Sequence, residues 1–279
     1  MSKGRAGKKV KLGLSSFAFN WAIGVVGQAP ATPMTPFNLL TRAASLGVHV
    51  VQFGDNLPLH RLAPWELQAL AEQAAELNLE IETGTRGIGD EQLSRYIELA
   101  RSLHSQILRV VVDTAQHWPG EDEIVSKCQH LVYELEQARV CLAIENHDRF
   151  KARTLERILE RIASRCVGIC LDTTNSIGAA EGPEEVFEVL GPWTVNVHLK
   201  DFRVRRMNHM MGFIVEGCPA GQGQLDIPWL LAGLRSQGRD PNVIVELWTP
   251  PEETLGASVA KEAAWAESSV QYLRTLIPE

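Results

Sequence analysis

Eight times along this 279-residue chain a short, β-rich apolar run gives way to a longer segment of helical period. The strand candidates are Lys11 to Phe17, His49 to Phe53, Glu80 to Thr83, Ile107 to Val112, Leu142 to Glu145, Gly168 to Asp172, Thr194 to Leu199 and Val243 to Leu247. Between them lies the i, i+3, i+4 apolar spacing of amphipathic helices, as in Leu67, Leu70, Ala71, Ala74 and Leu77. Start signals agree: Thr35-Pro36 offers a cap and then Pro, Gly182-Pro183-Glu184-Glu185 puts Pro and acids in a first turn, and Asp226-Ile-Pro228 does much the same. Alternation without antiparallel hairpins implies parallel strands joined by right-handed crossovers. Eight such units predict an α/β chain folded as a single (β/α)8 TIM barrel, a fold that takes about 250 residues.

The alternative, an open doubly wound sheet, would carry a Gly-rich phosphate loop after its first strand. Here that strand runs into Ser15-Ser-Phe-Ala-Phe-Asn-Trp21. The expected division is a flexible tail over residues 1–10, with the basic cluster Lys3, Arg5, Lys8, Lys9 and Lys11 at this end, and a catalytic barrel over 11–279. The longest irregular stretches, Asn20 to Pro33 and Arg203 to Gly223, follow strands one and seven. Both fall at the carboxyl face, where barrels keep their active sites.

A net charge of −7 argues against a nucleic-acid partner, because such affinity rests on clustered Lys and Arg. No apolar stretch approaches the roughly 18 residues that cross a bilayer, and no secretory signal opens the chain, so no membrane partner and a cytoplasmic location are expected. The five cysteines, Cys128, Cys141, Cys166, Cys170 and Cys218, read as free thiols.

Four consecutive strand candidates end in residues that a barrel core would not choose: Glu145, Asp172, His198 and Glu246. Side chains alternate along a strand, so each shares a face with the residue two before it: Ala143, Cys170, Asn196 and Ile244. Inward placement brings all four polar groups to one barrel mouth. Three carboxylates crowded there would raise each other's pKa unless a cation shared them. Carboxylate oxygens plus one imidazole suit Mn2+, Mg2+, Co2+ or Zn2+, and the lack of a cysteine at these strand ends weakens the case for structural zinc.

These residues also carry a resemblance. Ile144-Glu-Asn-His147, Leu171-Asp-Thr173, Val197-His-Leu-Lys-Asp201, Gly221-Gln-Gly223 with Asp226, and Val245-Glu246 resemble the xylose-isomerase-like barrel superfamily of sugar and sugar-phosphate isomerases and epimerases, with ketose 3-epimerases and inosose dehydratases among its members. The resemblance implies one divalent ion (Mn2+, Mg2+ or Co2+, with Zn2+ less expected) held by Glu145, Asp172, His198 and Glu246. It implies a carbohydrate substrate, and Glu145 and Glu246 as acid and base. A divalent ion gripping a carbonyl and a neighbouring hydroxyl acidifies the adjacent C–H by stabilising an enediolate, and a carboxylate on either side can then move the proton.

The pattern departs from the family in two places. Many members carry His three residues after the metal Asp, where this chain has Asn175, which can orient substrate but cannot change charge near neutrality. An Arg beyond the metal His often binds substrate in epimerases, and Arg203, Arg205 and Arg206 all compete for that role, with Arg206 taken as representative. His147 and Lys200 follow a proposed ligand by two residues and so share its face. Asp201 would orient a ligand or pair with Lys200. Gln52, Asn56, Glu82, Arg86, Asp113 and His209 are further candidates for the mouth, and Trp21, Trp118 and Trp248 offer faces for a sugar ring. The Gly221-Gln-Gly223 turn permits close backbone approach, and a phosphate could rest on its N–H groups.

The expectation is a metal-dependent isomerase or epimerase acting on a ketose, keto-sugar or sugar phosphate through an enediolate. The alternative is a lyase, dehydrating or keto-glycoside-cleaving, that uses the same intermediate; a non-enzymatic sugar-binding barrel is a third reading. Zinc-dependent apurinic endonucleases of the superfamily need extra histidines, and Asn175, the absence of an Asp-x-His after His198 and the acidic charge all oppose that activity. Related barrels pair through their outer helices, which leaves a homo-oligomer open by analogy.

Overall fold

Every strand expected from the apolar runs forms in the computed structural model, which describes residues 10–277. In chain order the strands are β1 (Leu12–Ser15), β2 (Val50–Phe53), β3 (Glu80–Arg86), β4 (Ile107–Val111), β5 (Cys141–Glu145), β6 (Val167–Asp172), β7 (Thr194–Leu199), β8 (Asp201–Arg206), β9 (Phe213–Cys218) and β10 (Asn242–Val245). All but β8 and β9 close a parallel barrel in the order β1-β10-β7-β6-β5-β4-β3-β2. The helices are α1 (Asn20–Ile23), α2 (Pro36–Leu46), α3 (Pro64–Glu76), α4 (Asp90–Ser102), α5 (Glu121–Ala138), α6 (Ala152–Ile162), α7 (Pro183–Leu190), α8 (Ile227–Ser236) and α9 (Leu255–Leu276). None of them is long and apolar enough to cross a membrane.

The local chemistry explains the element ends. Thr35 accepts the Asn38 N–H to cap α2, Asp226 accepts the Trp229 N–H to cap α8, and Pro occupies the first helical turn in both. In α6 the buried residues Ala152, Leu155, Ile158, Leu159 and Ile162 form one stripe against the barrel, each large apolar side chain contributing about 1.5–3 kcal/mol of burial. The sequence expectation ran β1 on to Phe17, but the Ser15 hydroxyl accepts the Phe17 N–H at 3.1 Å and turns the chain into a short 3-10 helix.

Arg203 to Gly223, expected to be irregular, is mostly an antiparallel hairpin in which Arg203 faces Glu216, Val204 faces Val215 and Arg206 faces Phe213. Phe202 and Val204 alternate with Arg203 and Arg205, a strand pattern that the arginine-rich composition obscures. Of the expected tail, residues 1–9 lie outside the described residues. Val10 packs on the core, and the Lys11 ammonium meets Glu80 at 2.5 Å.

The β1 loop is tied to the far end of the chain. Helix α1 has no side-chain cap of its own. Glu262 of α9, 1% exposed, accepts the Trp21 and Ala22 N–H groups at 2.9 and 2.6 Å, satisfying donors that a helix start leaves open. Burial pushes the Glu262 carboxyl from 4.5 up to about 7, against the two N–H groups that favour its ionised form. The folded state therefore holds a proton that the unfolded chain has released, and stability falls as pH rises between those values. Against Glu262→Gln as reference, the native chain is expected to lose on the order of 3 kcal/mol between pH 4.5 and 7 in urea unfolding; a flat difference would contradict it.

Candidate metal centre and the cavity above it

The closed barrel brings the four polar strand ends together. Glu145 ends β5, Asp172 ends β6, His198 lies in β7 beside Asp172 in register, and Glu246 follows β10; none is more than 2% exposed. The His198 Nδ1 stands 3.2 Å from Glu145 Oε2, 3.2 Å from Glu246 Oε1 and 3.8 Å from Asp172 Oδ2. It is buried and makes no hydrogen bond. Buried polar atoms are rarely left so, and one aimed among three carboxylates marks where a cation fits.

Each carboxylate is held by a neighbour. The Asn146 side chain bonds both the N–H and the C=O of Asp172, locking β5 to β6. Asp172 Oδ1 accepts the N–H groups of Thr174 and Asn175, which leaves Oδ2 facing the mouth. Ser15 Oγ donates to Glu246 Oε1 at 2.8 Å, and Asn175 Nδ2 donates to Glu145 Oε1 at 2.7 Å. Asn175, expected to orient substrate, here holds an acid of the cluster.

One thiol is closer than expected from the strand ends. Cys170, two residues before Asp172, has its Sγ in a cluster with donor atoms of Glu145 and His198. Burial and the surrounding acids raise its pKa well above the usual thiol value. It remains an S–H that donates to Asn196 Oδ1 at 3.4 Å and packs on Ala143 and Ile107.

Two buried cations enter the same space. Lys200 Nζ lies 2.7 Å from Asp172 Oδ2 and 3.0 Å from Glu246 Oε2; these acids, against its burial, raise its pKa. Arg109 of β4, 3% exposed, donates from Nε to Glu145 Oε2 and from a terminal nitrogen to Asp55 at 2.9 Å. Burial alone would raise the Glu145 carboxyl, but Arg109 and His198 hold it well below the usual carboxylate range. Glu246 is lowered in the same way by His198 and Lys200.

Above lies a cavity of about 220 Å³ lined in part by Arg86, His147, Asn175, Lys200 and Trp248, together with Arg109, Glu145 and Glu246. The Lys200 ammonium sits 5.6 Å from the Trp248 ring centroid. The other candidates lie elsewhere. Asp201 accepts the N–H groups of Gly221, Gly223, Leu225 and Phe202, so it holds a turn and does not pair with Lys200. A side chain at position 223 would collide with Asp201, and Gly221 has φ +81°, which accounts for both glycines without a phosphate.

Arg203 bonds the Gln222 carbonyl, Arg205 pairs with Glu216, Arg206 bonds the Met210 carbonyl and stacks on Phe213, and His209 accepts the Met211 N–H. All four are hairpin residues outside the cavity lining, and the arginines that do line it are Arg86 and Arg109. Asp113 pairs with Arg149, Asn56 ties Ser16 to Asn20, and Trp118 is exposed. Trp21 lines an adjacent groove. The sequence reading missed Arg109, although an Arg inside Ile107-Leu-Arg-Val-Val is a charge within an apolar strand.

A family model described as xylose isomerase-like TIM barrel matches residues 40–276. The chain is 34% identical over 267 residues, 96% of each protein, to the 3-oxo-isoapionate decarboxylase of Pectobacterium atrosepticum. Among solved structures it superposes on D-psicose 3-epimerase with D-tagatose from Clostridium cellulolyticum H10 with a TM-score of 0.74 at 11% identity, covering 96% of this chain and 99% of that one. It also superposes on a xylose isomerase-like barrel from Mycobacterium smegmatis in complex with magnesium, TM-score 0.71 at 13% identity, covering 95% and 98%. The chain belongs to the xylose isomerase-like TIM-barrel family.

Proposed function

We propose that this protein is a divalent-metal-dependent lyase that decarboxylates a 3-oxo sugar acid, with Glu145, Asp172, His198 and Glu246 holding the ion. The observation that carries this is the pairing of each glutamate with a buried cation, Arg109 with Glu145 and Lys200 with Glu246. A carboxylate held ionised far below neutral pH is a weak proton acceptor. Decarboxylation of a 3-oxo acid needs no base. The full-length relationship to an enzyme named for a 3-oxo acid supports the same choice.

The ion would supply Lewis-acid charge to the oxygen that becomes negative. In the reaction the C1–C2 bond breaks, its electron pair passes to C2 and C3 as an enediolate, and carbon dioxide leaves. Lys200, which lines the cavity, would set positive charge against that developing oxyanion. Arg86 and Arg109 offset the acids Asp55 and Glu145 where a substrate carboxylate would enter, and Asn175 and Trp248 would orient the rest of the substrate. His147, half-buried in the cavity lining, would return a proton from solvent to C2.

Epimerisation or isomerisation is the second reading, favoured by the equal 3.2 Å approach of Glu145 and Glu246 to His198 Nδ1. Purified protein with Mn2+ or Mg2+ would be incubated in heavy water with 3-oxo-isoapionate and, separately, with D-tagatose, D-fructose and D-psicose. Carbon dioxide release with deuterium at the carbon that carried the carboxylate is expected. Epimerised ketose without carbon dioxide release would replace the first reading by the second; full activity after exhaustive chelation would remove both.

A further inference from the structure

Beneath the candidate metal centre the barrel interior is polar. Gln52 of β2, Glu82 of β3, Asn196 of β7 and Asn242 of β10 are all at least 95% buried and point into one network. With Glu82 ionised, its hydrogen bonds admit one orientation. The Glu82 carboxylate can only accept, and it takes N–H groups from Gln52 Nε2 at 3.0 Å, Asn196 Nδ2 at 2.9 Å and Asn242 Nδ2 at 2.8 Å. Because Asn196 uses its nitrogen there, its Oδ1 is the acceptor for the second Gln52 proton at 3.1 Å. Both amide protons of Gln52 are then placed, and its Oε1 is what meets His198 Nε2 at 2.5 Å.

An oxygen acceptor at that position requires the proton on Nε2. In the neutral ring Nδ1 then carries the lone pair, and Nδ1 is the buried, unbonded atom that faces Glu145, Asp172 and Glu246. We infer that Glu82, acting through the Gln52 amide, is a positioning residue that sets the His198 tautomer and so makes Nδ1 a ready cation ligand. Without that acceptor the ring proton is free to sit on Nδ1 between two carboxylates, where it excludes the cation.

The inference rests on the metal reading of His198, and two measurements keep the two apart. Mn2+ affinity, read from the free-ion electron paramagnetic resonance signal, is expected to fall about 10- to 100-fold in Gln52→Met, which fills the same space without an acceptor, and in Glu82→Gln, which no longer dictates the Gln52 orientation. Gln52→Glu restores an acceptor and is expected to recover most of that loss, which a merely structural role would not allow. Long-range proton–nitrogen spectra of the Mg2+-loaded protein, and of metal-free protein at pH 9, are expected to place the surviving His198 ring proton on Nε2. A ring proton on Nδ1, or unchanged Mn2+ affinity in Gln52→Met and Glu82→Gln alike, would overturn the inference. Absence of Mn2+ and Mg2+ binding by the native chain would instead end the metal reading, with the pH 9 spectrum still deciding the tautomer.

Discussion

Asp172→Asn is expected to abolish ion binding and turnover while leaving the barrel folded. In the native chain Oδ1 of Asp172 accepts two backbone N–H groups, and an amide oxygen can keep both. The change therefore falls on the other side of the group, where Oδ2 faces Lys200 at 2.7 Å and His198 Nδ1 at 3.8 Å. An NH2 there turns a negative ligand into a donor aimed at an ammonium and at the cation position. Lewis-acid stabilisation is worth several kcal/mol, so a loss of about 10³-fold or more in kcat/KM is expected. Mn2+ titration, steady-state rates and circular dichroism on one preparation decide the matter. Native-like turnover in the variant would show that Asp172 holds no reacting ion.

The four acids and bases of this centre could be read from the sequence because each stands at the end of an apolar strand, where composition alone makes it conspicuous. Period-two alternation then gave their shared face, and counting strands gave their adjacency; β5, β6, β7 and β10 are indeed neighbours. What the strand pattern could not convey was which charges would cross the barrel to meet them. Arg109 starts from β4 and spans to Asp55 and Glu145, 54 and 36 residues away along the chain. Asp201 misled for the opposite reason: adjacency to Lys200 in sequence put it near the mouth, but a strand alternates, and its side chain turns to the backbone of Gly221 and Gly223. The hairpin arginines belong to the same class. Their spacing after His198 fits a substrate contact, and only the pairing of β8 with β9 directs them into cross-strand and turn contacts.

Glu82 and Gln52 show how a correct choice of residue can hide its role. Both were expected at the mouth, yet both lie in the core below it, with 3% and 1% exposure. A barrel interior filled by aliphatic layers is the usual solution. Here a carboxylate and three amides take that place, and the hydrogen bonds among them offset much of the cost of that burial, with Asn242 Oδ1 left without a partner. The direction of an amide depends on its partners, and these come from β3, β7 and β10.

Arg109→Met is expected to destabilise the fold and to change which reaction the cavity favours. Removing one partner of a buried ion pair leaves the other uncompensated, which costs about 3–5 kcal/mol, and here both Glu145 and Asp55 lose their shared guanidinium. The sign of the pH dependence follows from Glu145. With Arg109 present its folded pKa is depressed, so its contribution is complete above the usual carboxylate value and is lost as pH falls through the folded one. Without Arg109 a main opposing cation is gone, burial gains the upper hand, and the carboxyl rises and can neutralise itself by protonation. The stability gap between native and variant, measured by urea unfolding, is therefore expected to be widest at pH 8 and to narrow towards pH 4. A gap that stays constant with pH would mean that the guanidinium acts by packing alone. The same substitution separates the two chemistries: decarboxylation should weaken as the cavity loses positive charge, while exchange of solvent deuterium into a bound ketose should strengthen as Glu145 becomes a better base. Restraining that exchange is the use to which a buried guanidinium beside a candidate metal ligand is suited.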